Sequence, residues 1–193
     1  MFTGIITHLG AVKKKTKTEL TVQTDAKLLN KLENGTSIAV NGICLTVVAK
    51  DKNTFTIDFM PETAKKTNIQ YLEPVSEVNL ELPATVDTLF SGHIVQGHVD
   101  AVGEIKSIET EGNSHIFTFT IPQELNKYLV EKGSITVNGI SLTVISINKT
   151  QFTVGIIPHT WEYTMLHTAK KGDFVNLEVD TLAKYMEKML NNK

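Results

Sequence analysis

Cys44 and Ser141 hold the same place in a heptapeptide that the chain carries twice. Asn41–Val47 reads NGICLTV and Asn138–Val144 reads NGISLTV, 97 positions apart, with six of seven letters shared. A thiol and a hydroxyl are both nucleophile types, and each is weak until a base or a nearby charge activates it. Taken alone, Cys44 reads first as a small buried hydrophobe, and Ser141 as an ordinary strand hydroxyl. The match between them shifts that reading toward two copies of one pocket with one reactive atom changed. Further differences between the copies sit nearby: Asp58 aligns with Gly155, and Glu62 with His159. Thr46 and Thr143 add hydroxyls at equal positions. His93 and His98 stand five apart, each just after a glycine, which reads as a turn before it reads as a metal site, since no third ligand is evident. Asp180 reads first as a helix cap.

The repeat that carries these residues runs through the whole chain. Gly4 and Gly97 align at an offset of 93, as do Gly10 and Gly103. The offset is 97 for Phe55 and Phe152, Pro61 and Pro158, Thr63 and Thr160, and Val78–Glu81 and Val175–Glu178. We therefore divide the chain into residues 1–96 and 97–193.

Each half offers short β-prone runs punctuated by turns. In the first these are Leu20–Gln23, Ile38–Val40, Cys44–Val48 after the Asn41-Gly42 turn, the alternating Phe55–Phe59, and Val78–Leu82. In the second they are Ile116–Ile121, Ile135–Val137, the second heptapeptide, Phe152–Ile157 and Val175–Val179. Short helices are predicted after Asp25, at Pro61–Thr63 and over Pro122–Lys132. About six strands per half predict an all-β pair of small closed antiparallel barrels, a form that leaves no sheet edge exposed. Leu182, Tyr185, Met186, Met189 and Leu190 then recur at helical spacing, predicting a helix over about 181–191 capped by Asp180. Its apolar stripe either joins subunits or docks on its own barrel.

Composition narrows the function classes. Net charge is −2 and aromatic residues are 7% of the chain, so neither nucleic acid nor an anionic membrane is an expected partner. This also argues against an oligonucleotide-binding barrel. No apolar run is long enough to span a membrane and the N-terminus lacks a charged leader, so a cytoplasmic location is expected. One cysteine allows neither an internal disulfide nor a cysteine cage for metal.

Together, MFTGI at the start, NGxxLTV twice, PET and PHT at 61–63 and 158–160, SGHIVQGHVD at 91–100 and NLEVDTLAKY at 176–185 resemble the riboflavin synthase family, the trimeric type with duplicated lumazine-binding domains. The resemblance covers essentially the whole chain. It implies two six-stranded Greek-key barrels, a C-terminal helix that holds a homotrimer, and lumazine synthase as a candidate associate. The implied reaction is a dismutation of two 6,7-dimethyl-8-ribityllumazine molecules. One gives up a four-carbon unit and leaves as 5-amino-6-ribitylaminouracil; the other becomes riboflavin. No metal and no organic cofactor is implied.

By the same pattern, one pocket is expected from Gly4, Ile5, Ile6, Cys44, Leu45, Thr46, Asp58, Phe59, Met60, Pro61, Glu62 and Thr63. The other is expected from Gly97, His98, Val99, Ser141, Leu142, Thr143, Gly155, Ile156, Ile157, Pro158, His159 and Thr160, with Lys132 added. The chemistry needs a base for the acidified C7 methyl of one lumazine and a nucleophile for the other. Ser141 and Thr143, close to His98, are the expected principal cluster, with Cys44 the alternative nucleophile and Asp180 orienting a group in a neighbouring site. A non-catalytic protein that merely holds lumazine or flavin is the competing reading.

Overall fold

The computed structural model describes residues 1–191. Its first half holds β1 (His8–Lys15), β2 (Glu19–Gln23), α1 (Ala26–Leu29), β3 (Ser37–Val40), β4 (Ile43–Lys50), β5 (Thr54–Asp58), α2 (Pro61–Lys66) and β6 (Glu77–Glu81). Its second half holds β7 (Ala101–Glu111), β8 (Ser114–Thr120), β9 (Ser134–Val137), β10 (Ile140–Ile147), β11 (Gln151–Ile156), α3 (Pro158–Tyr163), β12 (Phe174–Val179) and α4 (Thr181–Leu190). The strands close into two antiparallel barrels of the same order, β1-β2-β5-β4-β3-β6 and its copy. In each, three hairpin-linked strands are flanked by a returning fourth, the Greek-key pattern.

The Asn-Gly pairs set the hairpins. Asn41 and Gly42 have φ of 46° and 75°, and Asn138 and Gly139 have 45° and 81°. Two successive positive φ values are what a two-residue turn needs to match strand twist, and Asn-Gly adopts them most readily. Past each turn the strands alternate. Leu45 and Val47 point into one barrel and Leu142 and Val144 into the other, while Thr46 and Thr143 face out. Two separate apolar cores result, one around Phe55, Ile57 and Leu80, the other around Phe117, Phe119 and Phe152.

The barrels meet turn to turn. A Cβ on Gly42 would lie 2.6 Å from the Gly139 nitrogen, and one on Gly139 would lie 2.8 Å from the Gly42 nitrogen, so only glycine permits this approach. Buried asparagines stitch the seam reciprocally. Asn79 Nδ2 donates to the Asn138 carbonyl and Asn176 Nδ2 to the Asn41 carbonyl, both at 2.8 Å. Asn68 N–H donates to Asn176 Oδ1 at 2.7 Å, and Met165 N–H to Asn79 Oδ1 at 2.8 Å. Pairing nearly every buried polar group across the seam is what makes so polar an interface tolerable.

Two parts of the sequence reading need correction. β1 and β7 were not expected as strands. Each carries an inward glycine where a side chain would collide: a Cβ on Gly10 would lie 2.6 Å from Val22, and one on Gly103 would lie 2.5 Å from the Thr120 carbonyl. Charged outward positions further dilute their pattern. The helix expected over Pro122–Lys132 is instead a turn followed by one 3-10 turn at Asn126–Tyr128. In the first repeat Asp25 Oδ1 accepts from Leu28 N–H and caps α1. Pro122 takes that place in the second and has no side chain to cap with.

Val75 adopts φ of 70° where the aligned Gly172 adopts 96°. A β-branched residue in the left-handed region costs roughly 1–2 kcal/mol, partly offset by the chain entropy that glycine would lose. Val75 is exposed, so packing does not compensate. Val75→Gly is therefore expected to raise stability by roughly 0.5–1 kcal/mol, seen by calorimetry as a Tm increase of about 1–3 °C. A lower Tm would refute the strain argument.

Candidate functional site

Alternation along β4 and β10 puts Cys44, Thr46, Ser141 and Thr143 on the outer faces of the barrels. Thr46 and Thr143 are exposed, and Cys44 and Ser141 half-buried. Asp58 stands opposite Thr46 in the β4–β5 register. The sites thus lie on the barrel surfaces, and each is completed by a segment from the other half.

That exchange is the main correction to the expected grouping. The Gly4 carbonyl accepts from Ser141 N–H at 2.8 Å, and the Gly97 carbonyl accepts from Cys44 N–H at 2.9 Å. Ile6 packs on the second core and Val99 on the first. So Gly4–Ile6 belong with Ser141, and Gly97–Val99 with Cys44. The two segments cross at an antiparallel bridge, where Phe2 N–H donates to Val95 O at 2.7 Å and Val95 N–H to Phe2 O at 3.1 Å.

At Cys44 a cleft of about 220 Å³ is lined by Ile43, Glu62, Thr63, Lys66, Thr67 and Gly97–Val99. Cys44 itself packs against the apolar Phe2, Ala39 and Val95. Glu62 pairs with Lys66 at 2.8 Å, and that partner holds its carboxyl below the usual range.

At Ser141 the surroundings are polar. His93 Nδ1 lies 2.7 Å from Ser141 Oγ, and His93 Nε2 lies 3.1 Å from Thr136 Oγ1. Thr136 is opposite Ser141 in the β9–β10 register, the place that Ala39 takes opposite Cys44. Burial pushes the His93 pKa below its ordinary 6.5, and the nearby Asp180 charge opposes this in part. His98, expected beside Ser141, lies instead at the Cys44 cleft. His93 was passed over because its motif, Gly-His in a turn, says nothing of which strand it meets. A Cβ on Gly92 would stand 2.1 Å from the Thr3 carbonyl and 3.1 Å from Ser141 Oγ, so this glycine lets His93 come close.

The remaining expected residues divide by burial. Leu45, Phe59, Leu142 and Ile156 have core side chains, so only their backbones can face a ligand. Ile5, Met60, Pro61, Ile157, Pro158 and His159 are exposed, and Gly155 and Thr160 are half-buried. His159 stacks on Tyr163. Lys132 is exposed, with φ of 66° where the first repeat has Gly35. Asp180 accepts from Leu182 N–H at 2.9 Å and caps α4.

The family model described as "Lumazine binding domain" matches residues 3–83 and 96–180. A riboflavin synthase of Actinobacillus pleuropneumoniae is 44% identical over all of this chain and 91% of its own length. One of Bacillus subtilis is 43% identical over 99% of this chain and 90% of its length. The crystal structure of LumP complexed with riboflavin is 26% identical with a TM-score of 0.86, covering 93% of this chain and 99% of that one.

Proposed function

The chain belongs to the lumazine-binding domain family, and from that premise we propose that it is a riboflavin synthase. It converts two molecules of 6,7-dimethyl-8-ribityllumazine to riboflavin and 5-amino-6-ribitylaminouracil. The observation that carries this reading is the pair of matched but unequal sites, Cys44 and Ser141, each with its N–H bonded to a glycine carbonyl of the other half. A reaction between two identical molecules needs two similar sites, and a different reactive group in each assigns the roles of donor and acceptor. Full-length relatives of that name at 38–44% identity support it. As a four-carbon transfer the reaction is a transferase step, and side chains plus the substrate's own acidity supply the chemistry without metal or cofactor.

The Ser141 cleft carries the proton handling. With His93 neutral, Ser141 O–H donates to Nδ1 while the Nε2 proton goes to Thr136. Nδ1 then takes the Ser141 proton as Oγ adds to the ring, or relays one from the C7 methyl. Proximity does the rest: two rings held in reacting geometry gain roughly 7–11 kcal/mol over free encounter.

The open clefts and the uncovered apolar face of α4 support a homotrimer in which the Cys44 cleft of one copy faces the Ser141 cleft of another. Leu182, Tyr185, Met186, Met189 and Leu190 are 55–72% exposed, while Glu187 on the polar side pairs with Lys127 and Tyr128. A cytoplasmic location accompanies this activity, and no described helix is long and apolar enough to cross a membrane.

The second reading, binding without turnover, rests on the likeness to LumP, whose structure holds riboflavin. Mixing purified protein with dimethylribityllumazine and following riboflavin absorbance decides between them. Riboflavin formation is expected, and binding without turnover would favour the alternative.

The His93 pKa gives a pH expectation. A ring held neutral below 6.5 keeps Nδ1 available as an acceptor until the pH falls under that value. The acid limb of kcat is expected below 6.5 and absent in the residual activity of His93→Gln. Stability follows the same sign. The unfolded chain takes up the proton first, so stability declines as pH falls from 6.5 toward the lower folded value. An unchanged acid limb in His93→Gln would assign that limb elsewhere.

A further inference from the structure

Glu81 and Glu178 are aligned, at the ends of β6 and β12, and each is at most 5% exposed. Glu81 Oε1 accepts from Thr3 N–H at 2.6 Å and Thr3 O–H at 2.7 Å, and its Oε2 accepts from Gly4 N–H at 3.0 Å. Glu178 Oε1 accepts from Gln96 N–H at 2.7 Å, and its Oε2 accepts from Gly97 and His98 N–H at 2.9 and 3.0 Å. The donating segments are irregular, joined to each other by the Phe2–Val95 bridge and the His93 N–H to Thr3 carbonyl bond, so the N–H groups of Thr3, Gly4 and Gln96–His98 have no ladder to satisfy them. A buried carboxylate is an expensive filler unless its oxygens are fully used, and here both are.

The bonds end at a decisive place. Gly4 and Gly97 have φ of 76° and 80°, which turns their carbonyls onto Ser141 and Cys44. A Cβ on either glycine would stand within 2.7 Å of the Ser141 or Cys44 Cβ. We propose that Glu81 and Glu178 are positioning residues, each assembling the ligand cleft on the barrel opposite its own: Glu81 the Ser141 cleft, Glu178 the Cys44 cleft. Burial pushes both carboxyls above the ordinary range while the backbone N–H bonds pull them back, as expected for groups retained for the contacts they make. Each barrel thus depends on its neighbour's acid, and loss of one acid disables one cleft rather than both.

This inference rests on the riboflavin synthase reading for the identity of the ligand. The probe is a ribityllumazine analogue without a C7 methyl, which binds but cannot react, titrated into the full chain. Cys44, the one cysteine, reports on its own cleft through protection from iodoacetamide. Wild type is expected to bind two analogues per chain and to protect Cys44. In Glu178→Gln one equivalent weakens by about tenfold or more and Cys44 loses protection, because an amide presents N–H to N–H and leaves a buried donor unmet. In Glu81→Gln one equivalent weakens equally while Cys44 stays protected. Thr3→Val, which removes one donor to Glu81 and keeps the shape, gives a smaller loss of the same kind and decides the matter should the glutamine variants not fold. Wild type that binds no analogue would sink the functional reading itself. Wild type that binds two, with variants that lose both equivalents together or neither, would overturn the positioning roles.

Discussion

Ser141→Ala is expected to lower kcat by about 10²–10⁴-fold, the usual range for losing a positioned proton-transfer group, and Cys44→Ala by less than about tenfold. The difference comes from the neighbours rather than from the atoms. Ser141 Oγ is 2.7 Å from a half-buried imidazole whose other nitrogen is held by Thr136. Cys44 packs instead against the apolar Phe2, Ala39 and Val95. Steady-state rates of the two variants, with His93→Gln beside them, settle the order. His93→Gln should resemble Ser141→Ala, and the double variant should be little worse than either alone, because residues acting as a unit do not contribute additively. Equal losses at Ser141 and Cys44, or a larger one at Cys44, would place the chemistry in the other cleft.

The contrast shows what the sequence conveys and what it withholds. Six shared letters around an Asn-Gly turn announce a hairpin, a repeat and a matched pair of sites, because turn chemistry and strand alternation are local. The barrel strands with strong alternation, such as Phe55–Phe59, are legible for the same reason. β1 and β7 are not, since their inward glycines serve contacts made across the barrel and erase the apolar signal. The crossing of Gly4–Ile6 and Gly97–Val99 is hidden for a deeper reason. In a chain with pseudo-twofold symmetry, exchanged and unexchanged segments give the same self-alignment, so the repeat equates Gly4 with Gly97 without saying which strand either one meets. His93 follows from that exchange. It reaches Ser141 because Thr3 and Gly92 lie against each other, a contact between residues far apart in the chain. The carboxylates at Glu81 and Glu178 were visible as part of an aligned Asn-Leu-Glu, but a repeated acid at a strand end reads as surface until its burial is known.

Tyr185→Glu combined with Met189→Glu is expected to convert the proposed trimer into monomers and to cut turnover at least about a thousandfold at micromolar protein, while leaving analogue binding at two per chain. Tyr185 and Met189 lie one turn apart on α4, 59% and 72% exposed, so the charges cost little within one chain and a great deal in an apolar seam between chains. They spare the helix's contacts with its own subunit: Lys184 with Asp100 at 2.6 Å, Thr181 with Gln96 at 3.1 Å, and Glu187 with Tyr128. Removing residues 181–193 altogether would break those contacts along with the seam, so the double substitution is the cleaner test and the truncation its coarser companion. If the reacting lumazines sit in clefts of different copies, dissociation leaves each ligand bound but alone. The advantage of holding both rings together, an effective concentration of roughly 10⁵–10⁸ M, is then lost without damage to either site. Residual activity should rise with the square of protein concentration, since productive encounters need two chains. Sedimentation velocity, analogue titration and rate against concentration read the three parts separately. Monomers that keep wild-type turnover, first order in protein, would place both reacting clefts within one chain, and an undissociated variant would move the subunit seam away from α4.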